Sequence, residues 1–132
     1  MSFLKAFNNH LKEFITDITT VLPKDSELRT TKFFLEGLIK IKPSQIIKAW
    51  KLYIIEPYKL QINKGDYNFF LNKDYTNDID KTWDDGNGND ILSAISRIRI
   101  KLKNLDEIDK KKTIKYVQNL SKLCELYHKD KL

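Results

Sequence analysis

The chain has 132 residues, 41% hydrophobic and 32% charged, which is the length of one domain (residues 1–132) and enough apolar material for one core under a solvated surface. Four glycines and three prolines are too few for a many-turned β-sandwich, and a single cysteine excludes an internal disulfide framework and a Cys-based zinc site. The net charge of +6 rests mainly on lysine, because Arg29, Arg97 and Arg99 are the only arginines. Lysine is a hydrated point charge, less suited than arginine to bidentate phosphate or base-edge contacts, so the charge fits a solubility surface first.

Residues 2–21 carry Phe3, Phe7, Leu11, Phe14, Ile18 and Val21 three or four apart, which predicts a first amphipathic helix with Asn8, Asn9 and Lys12 off its apolar stripe. Pro23 stops it. Asp25 or Ser26 is placed to cap a second helix bearing Leu28, Phe34, Leu35, Leu38, Ile39 and Ile41. Pro43 ends that helix and is placed to open a third, where Ile46, Ile47, Trp50, Tyr53 and Ile54 keep helical spacing. Pro57 biases Glu56 away from helical geometry, so the third helix is expected to end there.

Residues 57–89 are expected to form one long irregular connection. Lys64-Gly65-Asp66 is a turn signal, Asn68-Phe69-Phe70-Leu71 opens an aromatic cluster running to Tyr75, and Asp74, Asp78, Asp80, Asp84 and Asp85 surround Trp83. The rings of residues 67–75 are expected to pin the loop to the helices, leaving 77–89 as its tip. Asp90 is placed to cap a fourth helix with Ile91, Leu92, Ile95, Ile98, Leu102 and Leu105. Within it Ser96-Arg97-Ile98-Arg99-Ile100-Lys101-Leu102-Lys103 alternates as a half-buried strand would, but the 3.6-residue stripe runs through it and favours helix. A fifth helix, beginning near Asp106 or Asp109, carries Ile114, Val117, Leu120, Leu123, Cys124 and Tyr127. The fold class is therefore all-α: about five amphipathic helices in a compact bundle with one long aromatic and acidic loop.

No catalytic constellation emerges, and a non-enzymatic protein without cofactor is expected. Gly-x-Ser-x-Gly and phosphate-cradling Gly-rich motifs are missing. Cys124 lies on an apolar helical face, where a free cysteine is a small core residue, and His10 and His128 lie near opposite ends of the chain. Asp85-Gly86-Asn87-Gly88-Asn89-Asp90 alternates oxygen ligands as a calcium loop does, but it has Asp90 where that loop needs Gly and Ser96 where it needs Glu; no metal is expected. The start Met1-Ser2-Phe3-Leu4-Lys5 has no leader pattern, and no apolar run approaches the ~20 residues of a membrane span.

Two kinds of contact are left. Trp83 stands in an acidic frame without apolar neighbours, which makes it, with Tyr75 and Asp84, a candidate anchor for a protein partner. The alternative is nucleic acid, approached by Arg97, Arg99, Lys101 and Lys103 and by Lys110, Lys111 and Lys112 beyond a turn.

Three segments together carry a family resemblance: the Phe-rich first helix ending at a Pro-acid turn (Phe7 to Asp25), the central Glu56-Pro57-Tyr58 followed by Asp66-x-x-Phe69-Phe70-Leu71-x-Lys73-Asp74-Tyr75, and the final helix with Lys112, Tyr116, Leu120, Leu123 and Tyr127. They resemble small proteins of large eukaryotic DNA viruses of the nucleocytoplasmic group, with phycodnavirus-like and mimivirus-like genomes. The chain departs from that pattern at Ile100, Leu102 and Leu105, where a Trp is usual, and in the Gly86-Asn87-Gly88 loop, which reads as an insertion. No activity and no functional residue transfers. The resemblance implies only a setting, viral replication or assembly inside a host cell with an A/T-rich genome; in that setting the chain is expected to be a non-enzymatic structural or interaction protein, a virion component or an assembly or host adaptor, in the host cytoplasm or the virion.

Overall fold

The structure is a computed structural model and describes residues 2–65, 88–103 and 105–130. Among the described residues there are six α-helices, one π-helical turn and no strand, so the fold is all-α. The helices are α1 (Phe3–Val21), α2 (Ser26–Ile41), α3 (Gln45–Trp50), α4 (Glu56–Lys64), α5 (Gly88–Leu102) and α6 (Glu107–Asp130).

Side-chain oxygens start several of them. Ser2 accepts the Lys5 N–H at 3.1 Å at the head of α1, Asp25 accepts that of Leu28 at 3.0 Å for α2, and Asp106 accepts that of Asp109 at 2.8 Å for α6. Each bond satisfies a first-turn donor that the helix cannot pair internally. Asp90 is not a cap, since α5 already begins at Gly88 and Asp90 lies in its first turn. Pro43 lies before the cap residue Ser44 rather than in the first turn of α3, and its carbonyl accepts a 2.9 Å bond from Asn8 Nδ2. That bond explains why Asn8 is buried on α1 although its polarity places it off the apolar stripe.

The larger departure is at Pro57. Glu56 keeps right-handed helical angles and Pro57 lies in the first turn of α4, so the irregular connection does not begin at 57. The cause is the π turn Lys51–Ile55, where the Glu56 N–H bonds to the Lys51 carbonyl, five residues back. A proline has no N–H and its ring collides with the carbonyl four residues earlier. Pro57 has no N–H to add to that ladder, and α3, the π turn and α4 follow one another without a break. The rod ends at Gly65, whose φ of 67° is the left-handed cap that the turn signal anticipates. Residues 66–87 lie outside the described residues, and with them the pinning rings expected at residues 67–75; of the tip expected at 77–89, Gly88 and Asn89 belong to α5.

One core joins all six helices. Phe7, Leu11, Phe14, Ile15 and Ile18 of α1 meet Ile46, Ile47, Ala49 and Trp50 of α3, with Leu28 and Leu35 of α2, Ile91, Leu92 and Ile98 of α5, and Leu120 and Cys124 of α6 around them. Burying each of the large aliphatic or aromatic side chains among them stabilises the fold by roughly 1.5–3 kcal/mol. The alternating stretch in α5 is helical: Ile98 and Leu102 are buried while Ile100 is 52% exposed, a split that a strand face would not produce. Polar bonds tie the long rod to α6, from Trp50 Nε1 to Ser121 Oγ (2.9 Å) and from Gln118 Nε2 to the Ile62 carbonyl (3.0 Å).

Candidate functional site

The basic string comes to lie along α5 and the head of α6, and the fold divides it. Arg97 Nε donates to Thr31 Oγ1 of α2 at 3.1 Å. Lys101 Nζ stands 3.1 Å from Asp25 Oδ2 and 3.0 Å from Glu27 Oε2, clamping the end of α5 to the head of α2. The Asp25 carboxyl is held below its usual range, first by the Leu28 N–H and then by Lys101; the Lys101 ammonium is held above its own, first by Glu27 and then by Asp25. Arg99 forms part of the wall of a partly open apolar cavity. Lys110 lies 3.6 Å from Glu107 on the same helix. Of the seven basic residues, Lys103, Lys111 and Lys112 are exposed. Trp83, Tyr75 and Asp84, the candidate partner anchors, lie outside the described residues.

The groups that might carry chemistry are bound up in structure. Cys124 is fully buried and its thiol donates to the Ile47 carbonyl at 3.2 Å. Burial is the main cause that pushes this thiol up to about 12, so it is protonated at neutral pH and a poor nucleophile. His128 Nδ1 lies 3.6 Å from the sulfur and 2.8 Å from the Cys124 carbonyl oxygen. A carbonyl only accepts, so Nδ1 carries the proton there and is not a base for the thiol. His10 Nδ1 is 3.6 Å from Glu13 Oε2, and its ring lies 4.8 Å from that of Tyr116. The Tyr116 hydroxyl donates to Asp17 Oδ2, and this bond, before burial, raises it to about 12. Among the described residues no three His, Cys, Asp or Glu side chains group as metal ligands, and no helix is long and apolar enough to cross a membrane.

Two apolar features among the described residues bear on binding. The first is the cavity between α1, α2, α3, α5 and α6, about 70 Å³, with Leu11, Phe14, Leu35, Trp50, Ile98 and Val117 in its wall. The second is the outward face of α2. Leu28, Thr31, Leu35 and Leu38 turn inward, while Phe33 is 84% exposed and Ile41 78% exposed. Gly37 lies midway between them, and a Cβ built there would meet nothing within 4 Å. Helical steps of 100° place residues 33, 37 and 41 within ~40° of one line, so the two side chains flank a bare strip of backbone. Sequence reasoning put Ile41 on the buried stripe and passed over Phe33. A helical wheel drawn on Leu28, Leu35 and Leu38 turns both away from the core, and that was the signal available.

Compared with known proteins, the chain matches no family model, no curated protein and no solved structure.

Proposed function

We propose that the chain acts by binding, as a non-enzymatic protein-interaction module, and that the outward face of α2 is its contact surface. The observation that carries this reading is the pair Phe33 and Ile41, large apolar side chains left in water on a helix whose other side is fully packed. Singly exposed apolar residues are ordinary, but two flanking an unobstructed glycine offer a docking strip with a ready anchor ring. The protonated, buried Cys124 and the engaged His128 support a role without nucleophilic chemistry. The family resemblance adds the setting, a viral structural protein or an assembly or host adaptor in the host cytoplasm or virion.

The test is a cross-linking pull-down from infected cells with the intact chain and with the double variant Phe33→Ser/Ile41→Ser. Both positions point into solvent, so the variant should keep the circular dichroism and melting temperature of the parent while losing its bound protein. An unchanged set of captured proteins would remove α2 from the contact surface.

A further inference from the structure

The strip on α2 has a symmetry that names its occupant. Phe33 lies four residues before Gly37 and Ile41 four residues after it. If two copies of α2 cross antiparallel at Gly37, residue 37−n of one faces residue 37+n of the other. Phe33 of each copy then lies on Ile41 of the other, and the same contact forms twice about a two-fold axis. Because Gly37 carries no Cβ and, among the described residues, no atom lies within 4 Å of where one would be, the backbones are free to approach closely at the crossing.

The charges on the flank agree with this arrangement. Glu36 and Lys40 lie on one side of the strip, and side chains lean toward the N-terminus of their own helix. In the antiparallel pair that lean carries Glu36 of one copy toward Lys40 of the other, and carries the two Glu36 side chains apart. Within one copy Glu36 already has Lys32 at 3.7 Å, so its carboxylate has a cation on each side. A parallel crossing would instead set Phe33 level with Phe33 and carry the Glu36/Lys40 flanks of the two copies to opposite sides of the seam, out of reach of each other.

We infer that the partner of the α2 face is a second copy of this chain, bound as an antiparallel α2–α2 dimer centred on Gly37. This inference rests on the reading that α2 is the contact surface. An exposed Phe offers on the order of 150 Å². Two Phe–Ile contacts therefore bury several hundred Å², below the ~1,200 Å² at which stable interfaces begin. The dimer is accordingly weak and reversible.

Sedimentation of the purified chain over a wide concentration range, together with disulfide trapping, decides the matter. The parent should move from monomer to dimer as concentration rises, and Phe33→Lys should shift that transition at least ten-fold upward. Gly37→Cys should form an intermolecular disulfide under mild oxidation. Interhelical distances of about 8–10 Å, less two backbone radii of ~2.3 Å, put the two Cα atoms in disulfide range. Ser26→Cys, at the head of the same helix, would lie some ~30 Å from its counterpart and should not cross-link. Cys124 is buried and does not compete. A parent that stays monomeric, a dimer indifferent to Phe33→Lys, or equal trapping at positions 26 and 37 would each overturn the inference. A monomeric parent that nonetheless loses a captured protein in the Phe33→Ser/Ile41→Ser variant would refute the second copy and leave α2 as the contact surface.

Discussion

Replacing Ser121 by Ala tests what holds α3 against α6. Trp50 is buried, its ring 5.9 Å from Phe7 in an edge-to-face pair, and its indole N–H donates to Ser121 Oγ at 2.9 Å. Ser121→Ala changes almost no volume but leaves that N–H in an apolar wall. An unsatisfied buried donor costs about 1–3 kcal/mol. For a chain of this size the melting temperature should fall by roughly 3–10 °C. Trp50→Phe removes the donor and enlarges the neighbouring cavity of about 70 Å³, so it carries its own penalty. At ~24 cal/mol per Å³, an added void of a few tens of Å³ contributes on the order of 1 kcal/mol beyond the lost burial. In the double variant no stranded donor is left, and its cost should fall short of the sum of the singles by about 1–2 kcal/mol. Urea unfolding of the four proteins gives this coupling directly. Single costs that simply add would show that the hydrogen bond does not contribute and that shape alone seats the indole.

Three further outcomes follow from the geometry. Tyr116 and Cys124 are both raised to about 12 in the fold from ordinary values of 10.0 and 9.0. The folded state therefore holds more protons than the unfolded one above pH 9, and stability should be complete below that value and decline as pH rises toward 12. Alkaline unfolding curves, with the tyrosinate absorbance of a Tyr116→Phe variant as reference, would reveal the effect. Gly65→Ala should destabilise by about 1–2 kcal/mol in chemical unfolding, because φ is 67° and the new methyl presses on Gln118 Nε2 at 3.3 Å. If the chain meets a DNA duplex at all, only Lys103, Lys111 and Lys112 of the seven candidate cations are exposed to reach phosphate. The slope of log K against log salt should then be no steeper than about −3; a slope near −6 would mean that the whole string acts together.

The sequence carried the helices well because each one has a single buried stripe. Ile46, Ile47, Trp50, Tyr53 and Ile54 are all buried, and Asp25 and Asp106 cap where short acceptors precede apolar periodicity. Pro57 misled because its local bias toward extended backbone was overridden by a π turn, which leaves no mark in residue pattern. Lys101 looked like a free cation because Asp25 and Glu27 are some 75 positions away in sequence and meet it only when α2 packs on α5. Asn8 looked like a surface residue because its acceptor, the Pro43 carbonyl, belongs to a different segment. The anchors Trp83, Tyr75 and Asp84 stand outside the described residues, and Phe33 was hidden by its neighbour Phe34, whose ring packs against the core.

The π turn also fixes an azimuth. A turn wound with one surplus residue advances everything downstream by roughly 100° relative to an uninterrupted α-helix. Removing a single residue between Lys51 and Ile55 would restore ordinary winding and swing Ile62 away from Gln118, its bonding neighbour on α6. The chain would then emerge at Gly65 from a different side of the bundle. Length within those five residues is therefore a requirement in its own right, beside the identities of the buried Tyr53, Ile54 and Ile55.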